Sequence, residues 1–339
     1  MQRETQTIQH KTEILSLLNT AQRAPSAYNT QPWRLHPLPD DAYLLVYAYT
    51  DRLLADVGNC NGLLSMGAYY ETLSMAASLQ GKQVAFEPNV VQRADGLELG
   101  KVRILSVVGK GEAPSYGRGD DERDKSALYG GGADLSDPLA PFLSLRQTNR
   151  NPYEYLPLSP KLKRDLLNLG CVLLEPQAVA PLVAKASMMA WQDARFIADM
   201  KKWTRCKKEG SAPDGMTIEC LGLSSLQQQA WNFAMSCNGL AAPLARMYAQ
   251  HDVHLIQHSA AIAVFSVENL EPLSLFECGR RLLRAWVTIN AAAFSCHPMS
   301  VIVNQPTVTE LAQMAGVAHP VAMMRVGYTF KSAAWSNRR

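Results

Sequence analysis

Apolar residues recur at helical spacing from Thr7 to Ala21 (Ile8, Ile14, Leu15, Leu18, Ala21), and the pattern stops at Pro25, which cannot continue a helix. Two short apolar runs, Trp33 to Pro37 and Tyr43 to Tyr49, flank Pro39-Asp40-Asp41, whose turn chemistry predicts a hairpin. Helical spacing returns from Leu63 to Leu79. It gives way to two β-branched stretches of strand length, Gln83 to Phe86 and Leu97 to Val108. The first half thus predicts helix, hairpin, helix and two strands. From Gly109 to Asp137 the chain is rich in Gly, Asp, Ser and Pro, carries the charge run Asp120 to Lys125 and has no sustained period, so a long linker or mobile loop is expected.

Beyond the linker the pattern predicts a helix over Lys161 to Leu169, a short strand over Val172 to Leu174 and one helix over Ser187 to Lys202 carrying Trp191 and Phe196. Residues 206 to 222 read as a loop around Pro213-Asp214-Gly215. Ser224 to Gln250 reads as helical with a break at Asn238-Gly239. Strands are expected over Ala260 to Val267 and Ala322 to Tyr328, with helices Cys278 to Ala293 and Val308 to Ala315 between them. A repeat lies inside this pattern. Gly67 to Gly81 encloses Leu73, Ala76 and Ala77, and Gly279 to Ala293 encloses Ala285, Thr288 and Ile289 at matching places. A 14-residue spacing is about four helical turns, which puts each small pair near one face, where another backbone can approach. Two copies of one unit would divide the chain into a first half, residues 1 to 140, and a second, residues 141 to 339.

Composition narrows the function. The 339 residues are 47% apolar and 19% charged, ordinary for a globular chain. A balance of 33 basic against 30 acidic residues makes no phosphate-seeking field, so nucleic acid is not an expected partner. No stretch of about 18 uncharged apolar residues suggests a membrane span, and the first 22 residues lack the apolar block of a secretory signal. Seven cysteines without a CxxC spacing are expected to be reduced thiols, and the cytoplasm is the expected location.

Two segments carry chemistry. Ala24-Pro25-Ser26-Ala27-Tyr28-Asn29-Thr30-Gln31-Pro32-Trp33 sets a serine hydroxyl and two amides on a loop stiffened by prolines, suited to a flat ring with polar edges. Residue chemistry alone leaves a helix stop and an Asx-type turn equally open. Arg146-Gln147-Thr148-Asn149-Arg150-Asn151-Pro152-Tyr153 brings two guanidinium groups and a hydroxyl within five residues, either a phosphate clamp or a solvated basic turn.

The first run resembles the APSxxNxQPW motif of the nitroreductase family of flavoproteins. The second resembles that family's phosphate-gripping RRSxRxF-like segment, with Thr148 in place of Ser. Ala293 to Ser300 resembles the family's GLxxxPxx turn, with Ala293 in place of Gly, and Arg325-Val326-Gly327-Tyr328 with Arg338 and Arg339 resembles its RxGY strand and late basic pair. The resemblance touches residues 7 to 108, 144 to 174 and 260 to 339. It implies an α+β fold, mainly antiparallel sheets flanked by helices, and FMN as cofactor. By the same resemblance Arg146, Thr148, Arg150, Arg338 and Arg339 would hold the phosphate. Arg23, Pro25, Ser26, Asn29 and Gln31 would bind along the ring and ribityl chain, and the backbone at Pro298, Met299 and Ser300 would face flavin N5.

In the family, NADH or NADPH reduces the flavin, which then reduces a small acceptor such as a nitroaromatic or quinone, with no obligatory protein acid or base and no metal. A typical member carries clamp, helix and APSxxNxQPW in one run and builds two sites across a homodimer. Here the first half keeps one part and the second half the other. The chain is in this similar to the longer Acg-type subfamily, which implies one composite FMN site in a monomer built as an internal pseudo-dimer, or a weak homodimer. A flavin-storage protein with residues 203 to 240 as a lid, and an oxygen-dependent biosynthetic dehydrogenase, are the alternatives.

Three other segments are weaker. Gly109 to Pro114 has Pro114 where a dinucleotide fingerprint needs glycine. His251, His254 and His258 would share a helical face, but a strand follows at once, and no metal site is expected. Cys296 and His297 are adjacent, and adjacent side chains seldom point together.

Overall fold

The computed structural model describes residues 2–39, 42–106, 136–205, 213–236 and 241–334. The expected linker lies outside the described residues except for Ser136 and Asp137, as do Asn238-Gly239, Arg338 and Arg339. The first half runs α1 (Gln2–Ala21), β1 (Trp33–Leu38), β2 (Ala42–Ala48), α2 (Cys60–Ser78), β3 (Lys82–Gln92) and β4 (Gly96–Ser106). The hairpin forms where turn chemistry puts it, pairing Trp33 with Tyr47 and Leu38 with Ala42.

The second half runs α3 (Pro160–Asn168), β5 (Cys171–Leu174), α4 (Pro176–Ala190), α5 (Ala194–Trp203), β6 (Thr204–Arg205), β7 (Met216–Thr217), α6 (Ser225–Ser236) and α7 (Ala241–Gln257). It continues with β8 (Ala261–Val267), α8 (Pro272–Ala291), β9 (Ser295–Pro298), α9 (Val308–Ala315) and β10 (His319–Gly327). The architecture is α+β. Two four-stranded antiparallel sheets, β1-β2-β4-β3 and β5-β8-β10-β9, are covered by helices, and β6 and β7 form a small parallel pair. Ranked within its half, each sheet has the order first, second, fourth, third. In each half a helix precedes the first strand and a long helix joins the second strand to the third.

Those two long helices, α2 and α8, pack on each other through their glycines. A Cβ built on Gly67 would lie 1.8 Å from the Phe276 carbonyl oxygen, and one on Gly279 would lie 2.0 Å from that of Leu64. Backbone meets backbone at the crossing, the approach that the repeated small residues suggested. Around it Phe86 stacks on Phe276 at 4.7 Å and Trp33 on Tyr69 at 4.8 Å. At the side of the crossing the buried Glu71 carboxylate takes both Arg280 and Arg284, each at 2.8 Å, and Arg284 reaches on to Asp137 at 2.5 Å.

Two expectations need correction. The single helix over Ser187 to Lys202 is two helices, because Asp193 accepts the Arg195 N–H and caps a new start at Ala194. The earlier of the two reaches back to Pro176, a stretch for which no helix was expected. Strand β9, ending in Pro298, was also not expected. Ala293, just past the end of α8, sits at φ +62°, a left-handed conformation that glycine adopts without strain. Ala293→Gly is therefore expected to raise stability by about 0.5 to 1 kcal/mol, read as a higher urea midpoint at unchanged slope.

Candidate functional site

The loop after α1 is held in an unusual conformation. Tyr28, Asn29 and Gln31 all have positive φ, at +52°, +57° and +51°. Asparagine tolerates this region, but tyrosine and glutamine do not, and such strain persists where surrounding contacts over-determine it. Those contacts are visible. Ser26 Oγ accepts the Gln31 N–H at 3.0 Å, Asn29 Nδ2 donates to the Gly215 carbonyl at 2.8 Å, and Gln31 Nε2 donates to that of Pro213 at 2.7 Å. The Gly215 N–H returns a bond to the Asn29 carbonyl. The amide donors of Asn29 and Gln31 thus latch the 213–215 turn.

The 146–150 segment lies along the second half. Trp286 Nε1 donates to the Gln147 carbonyl at 3.0 Å, the Asn149 N–H to that of Cys296, and the Arg146 guanidinium rests 5.0 Å from the centre of the Trp286 ring. Arg146 also reaches the first half, donating to the Arg23 carbonyl at 3.0 Å. Arg150 donates to the Cys220 carbonyl and to Met216 Sδ and has no carboxylate partner among the described residues. Burial pushes its pKa down.

Arg325 on β10 is fully buried. It donates to the carbonyls of Asn149 and Asn151 and to His297 Nδ1 at 3.1 Å, over the face of Tyr153. It does not line the cavity and acts as the peg that fixes the 149–151 segment. Because His297 Nδ1 accepts from a permanent cation, the ring proton of the neutral imidazole sits on Nε2. Burial, then Arg150 and Arg325, hold the His297 pKa well below the ordinary histidine value.

These segments meet around one cavity of about 300 Å³. Pro25, Ser26 and Asn29 line it from the first loop, Arg146, Thr148 and Arg150 from the second segment, and Pro298, Met299 and Ser300 from the end of β9. Its floor is the α2–α8 pair, through Leu64, Ser65, Ala68, Leu282 and Trp286, so the cavity spans both halves. Arg23 and Gln31 do not line it. The Met299 N–H donates to the Met323 carbonyl at 2.8 Å.

The far wall comes from Ser187, Trp191, Trp231, Tyr248 and Asp252, on α4, α6 and α7 and the turn after α4, none of them an expected site residue. Burial, against the Ser187 hydrogen bond and Arg325, raises the Asp252 pKa to about 6. Of the three histidines, His251 lines the cavity while His254 and His258 stack on each other at 4.1 Å outside it. No metal-holding cluster occurs among the described residues, and no helix among them is long and apolar enough to cross a membrane.

No protein-family model and no curated protein matches the sequence. Among solved structures, the chain is similar to the FMN-dependent nitroreductase NfnB from Mycobacterium smegmatis, crystallised with NADPH, at 14% identity over 57% of this chain and 87% of that one, with a TM-score of 0.35. It is similar to the FMN- and NADPH-dependent nitroreductase NfnB from Sphigopyxis sp. strain HMH at 9% identity over 59% and 94%, with a TM-score of 0.35. A "putative nitroreductase" from Anabaena variabilis covers more of the chain, 85% against 69% of its own length, at 8% identity and a TM-score of 0.45. All three are loose likenesses to nitroreductase structures.

Proposed function

We propose that this chain is an FMN-dependent oxidoreductase of the nitroreductase type, with one cofactor per chain, reduced by NADH or NADPH and reoxidised by a small aromatic, nitro or quinone acceptor. The observation that carries the reading is the convergence of three segments, far apart in sequence, on one cavity: Pro25 to Asn29, Arg146 to Arg150 and Pro298 to Ser300. The residues fit the cofactor. Arg150 retains guanidinium donors beyond the two in use and has no carboxylate partner among the described residues, Thr148 lines the same cavity, and a phosphate would supply the missing anion. The strained Tyr28–Gln31 backbone is the kind of local strain that clusters at ligand sites.

When bound, FMN would supply the hydride chemistry. The chain's own residues would bind the phosphate through Arg146, Thr148 and Arg150, hold the ring against Pro25 and Ser26, and offer the Ser300 N–H. Arg338 and Arg339 complete the phosphate site in this reading. The matching order of elements in the two halves, and the glycine crossing between their long helices, support descent from a duplicated unit in which one composite site was kept. The protein would then work as a monomer in the cytoplasm.

Anaerobic addition of NADPH and then NADH to freshly purified protein tests the assignment. A yellow protein near one FMN per chain that bleaches is the expected result, and colourless protein that cannot be reconstituted overturns it. Arg146→Ala is expected to weaken FMN binding by about 1.5 to 3 kcal/mol, the scale of a charged hydrogen bond, measured as flavin retained through gel filtration. A second reading, flavin storage under a lid, draws on the latch of Asn29 and Gln31 to residues 213–215. Yellow protein that stays oxidised under both nucleotides would favour it.

A further inference from the structure

We propose that the helices between β5 and β8 add a second compartment to the cavity, one that takes a planar quinone, and that Asp252 is the acid that protonates the quinone oxygen. The proposal rests on the flavin reading for its hydride. The wall is flat and apolar: Trp191 stacks on Tyr248 at 4.6 Å, Trp231 stands edge-on to both, and Phe196 is edge-on to Trp191. Offset and edge contacts of this kind bind a further ring readily.

The same wall holds polar atoms with nothing to bind. Among the described residues, Trp231 Nε1, Tyr248 OH and His251 Nε2 are buried without a hydrogen-bond partner, and Trp231 and Tyr248 are each at least 95% buried. Buried polar groups left unpaired are costly and need an explanation. Indole N–H and phenol O–H are donors, so the missing partner is a flat molecule that brings acceptors, as quinone carbonyls do.

Asp252 follows His251 on α7 and lines the same cavity, its Oδ2 accepting from Ser187 Oγ of α4 at 2.5 Å. The other titratable or charged groups acting around it are Tyr28 from the first loop, Arg325 from β10, and His251 and Tyr248 on its own helix. It forms no ion pair among the described residues, and it remains protonated up to about pH 6. FMN, when bound, would supply one hydrogen with its electron pair as hydride. Asp252 would supply the other as a proton: its O–H bond breaks as the quinone carbonyl's π pair moves onto oxygen and takes that proton, so both quinone oxygens end as hydroxyls. The hydroquinone leaves, and water reprotonates the Asp252 carboxylate.

The test mixes NADPH-reduced holoprotein with duroquinone, whose fully substituted ring does not add thiols, and follows flavin reoxidation against pH. The wild-type rate should fall above about pH 6, because the acid form is the active one. Asp252→Asn, fully reduced before mixing and compared per bound FMN, should reoxidise about 100-fold more slowly with no such fall. Ser187→Ala keeps the carboxyl but removes the bond that favours the carboxylate, so the midpoint should move to higher pH.

Calorimetry of duroquinone binding to the oxidised protein gives a readout apart from turnover, and Trp231→Phe should weaken binding about fivefold. Wild-type reoxidation and an unchanged profile in Asp252→Asn would overturn the role of the acid. A yellow, NADPH-reducible protein whose duroquinone affinity ignores Trp231 would overturn the compartment alone. Colourless protein that still binds duroquinone through Trp231 would overturn the flavin reading and leave the compartment standing.

Discussion

Gly67→Ala is expected to destabilise the protein by about 3 kcal/mol, near the upper end of what overpacking a tight core costs. The added methyl would start 1.8 Å from a carbonyl oxygen on the facing helix, 2.8 Å from the carbon that bears it and 3.0 Å from the Arg280 backbone nitrogen. No flexible side chain is there to swing aside, so relief requires α2 and α8 to separate. Separation would loosen the Phe86–Phe276 and Tyr70–Phe276 contacts beside the crossing. Gly279→Ala meets Leu64 in the mirror position and should cost a similar amount. Since either methyl forces the same separation, the double variant should cost clearly less than the two singles summed, a coupling that urea midpoints would measure. A fully additive pair would show that the two glycines relieve independent contacts.

Glu71→Ala is expected to cost about 3 kcal/mol as well, by a different route. Glu71 is 2% exposed and neutralises two guanidinium groups on α8 at once. Removing one partner of a buried ion pair leaves charge without compensation, which is more damaging than never having built the pair. Arg280 retains Glu277 and Arg284 retains Asp137, so the loss falls at the lower end of the range for buried pairs. Glu71→Gln keeps an acceptor and should recover part of the difference. Because the same two helices form the cavity floor, flavin retention should fall with stability in both variants.

Where periodicity or turn chemistry is strong, the chain announces its structure. The Val308–Ala315 helix and the hairpin around Pro39 to Asp41 form as the pattern predicts. Where one signal masks another, it does not. Helix α4 carries Pro176 and Pro181 in its first turns and is apolar on several sides, so no single face stands out. The break before α5 depends on one capping aspartate inside an otherwise continuous pattern. The candidate site divides the same way. Its motif-bearing residues could be read because a short run of chemically odd residues survives as a run. Ser187, Trp231, Tyr248 and Asp252 come from separate helices, and only the tertiary fold brings them to one wall. His251, which also lines the cavity, carries a signal in its spacing to His254 and His258, and that spacing points toward a metal rather than a cavity.

The far wall belongs to the stretch that leaves the sheet at β5 and rejoins it at β8, and these are hydrogen-bonded antiparallel neighbours. Antiparallel neighbours hold their Cα atoms about 5 Å apart, so the departure and return points of the stretch nearly touch. An insertion with adjoining ends behaves as a cassette. It can lengthen, shorten or be exchanged at little entropic cost to the sheet that carries it. The glycine crossing is, by contrast, part of the two-sheet frame, and the segments around Pro25 and Arg146 join that frame to the cassette through Asn29, Gln31 and Arg150. Evolution, or a protein engineer, could therefore change what the cavity admits by replacing the cassette while leaving the frame intact.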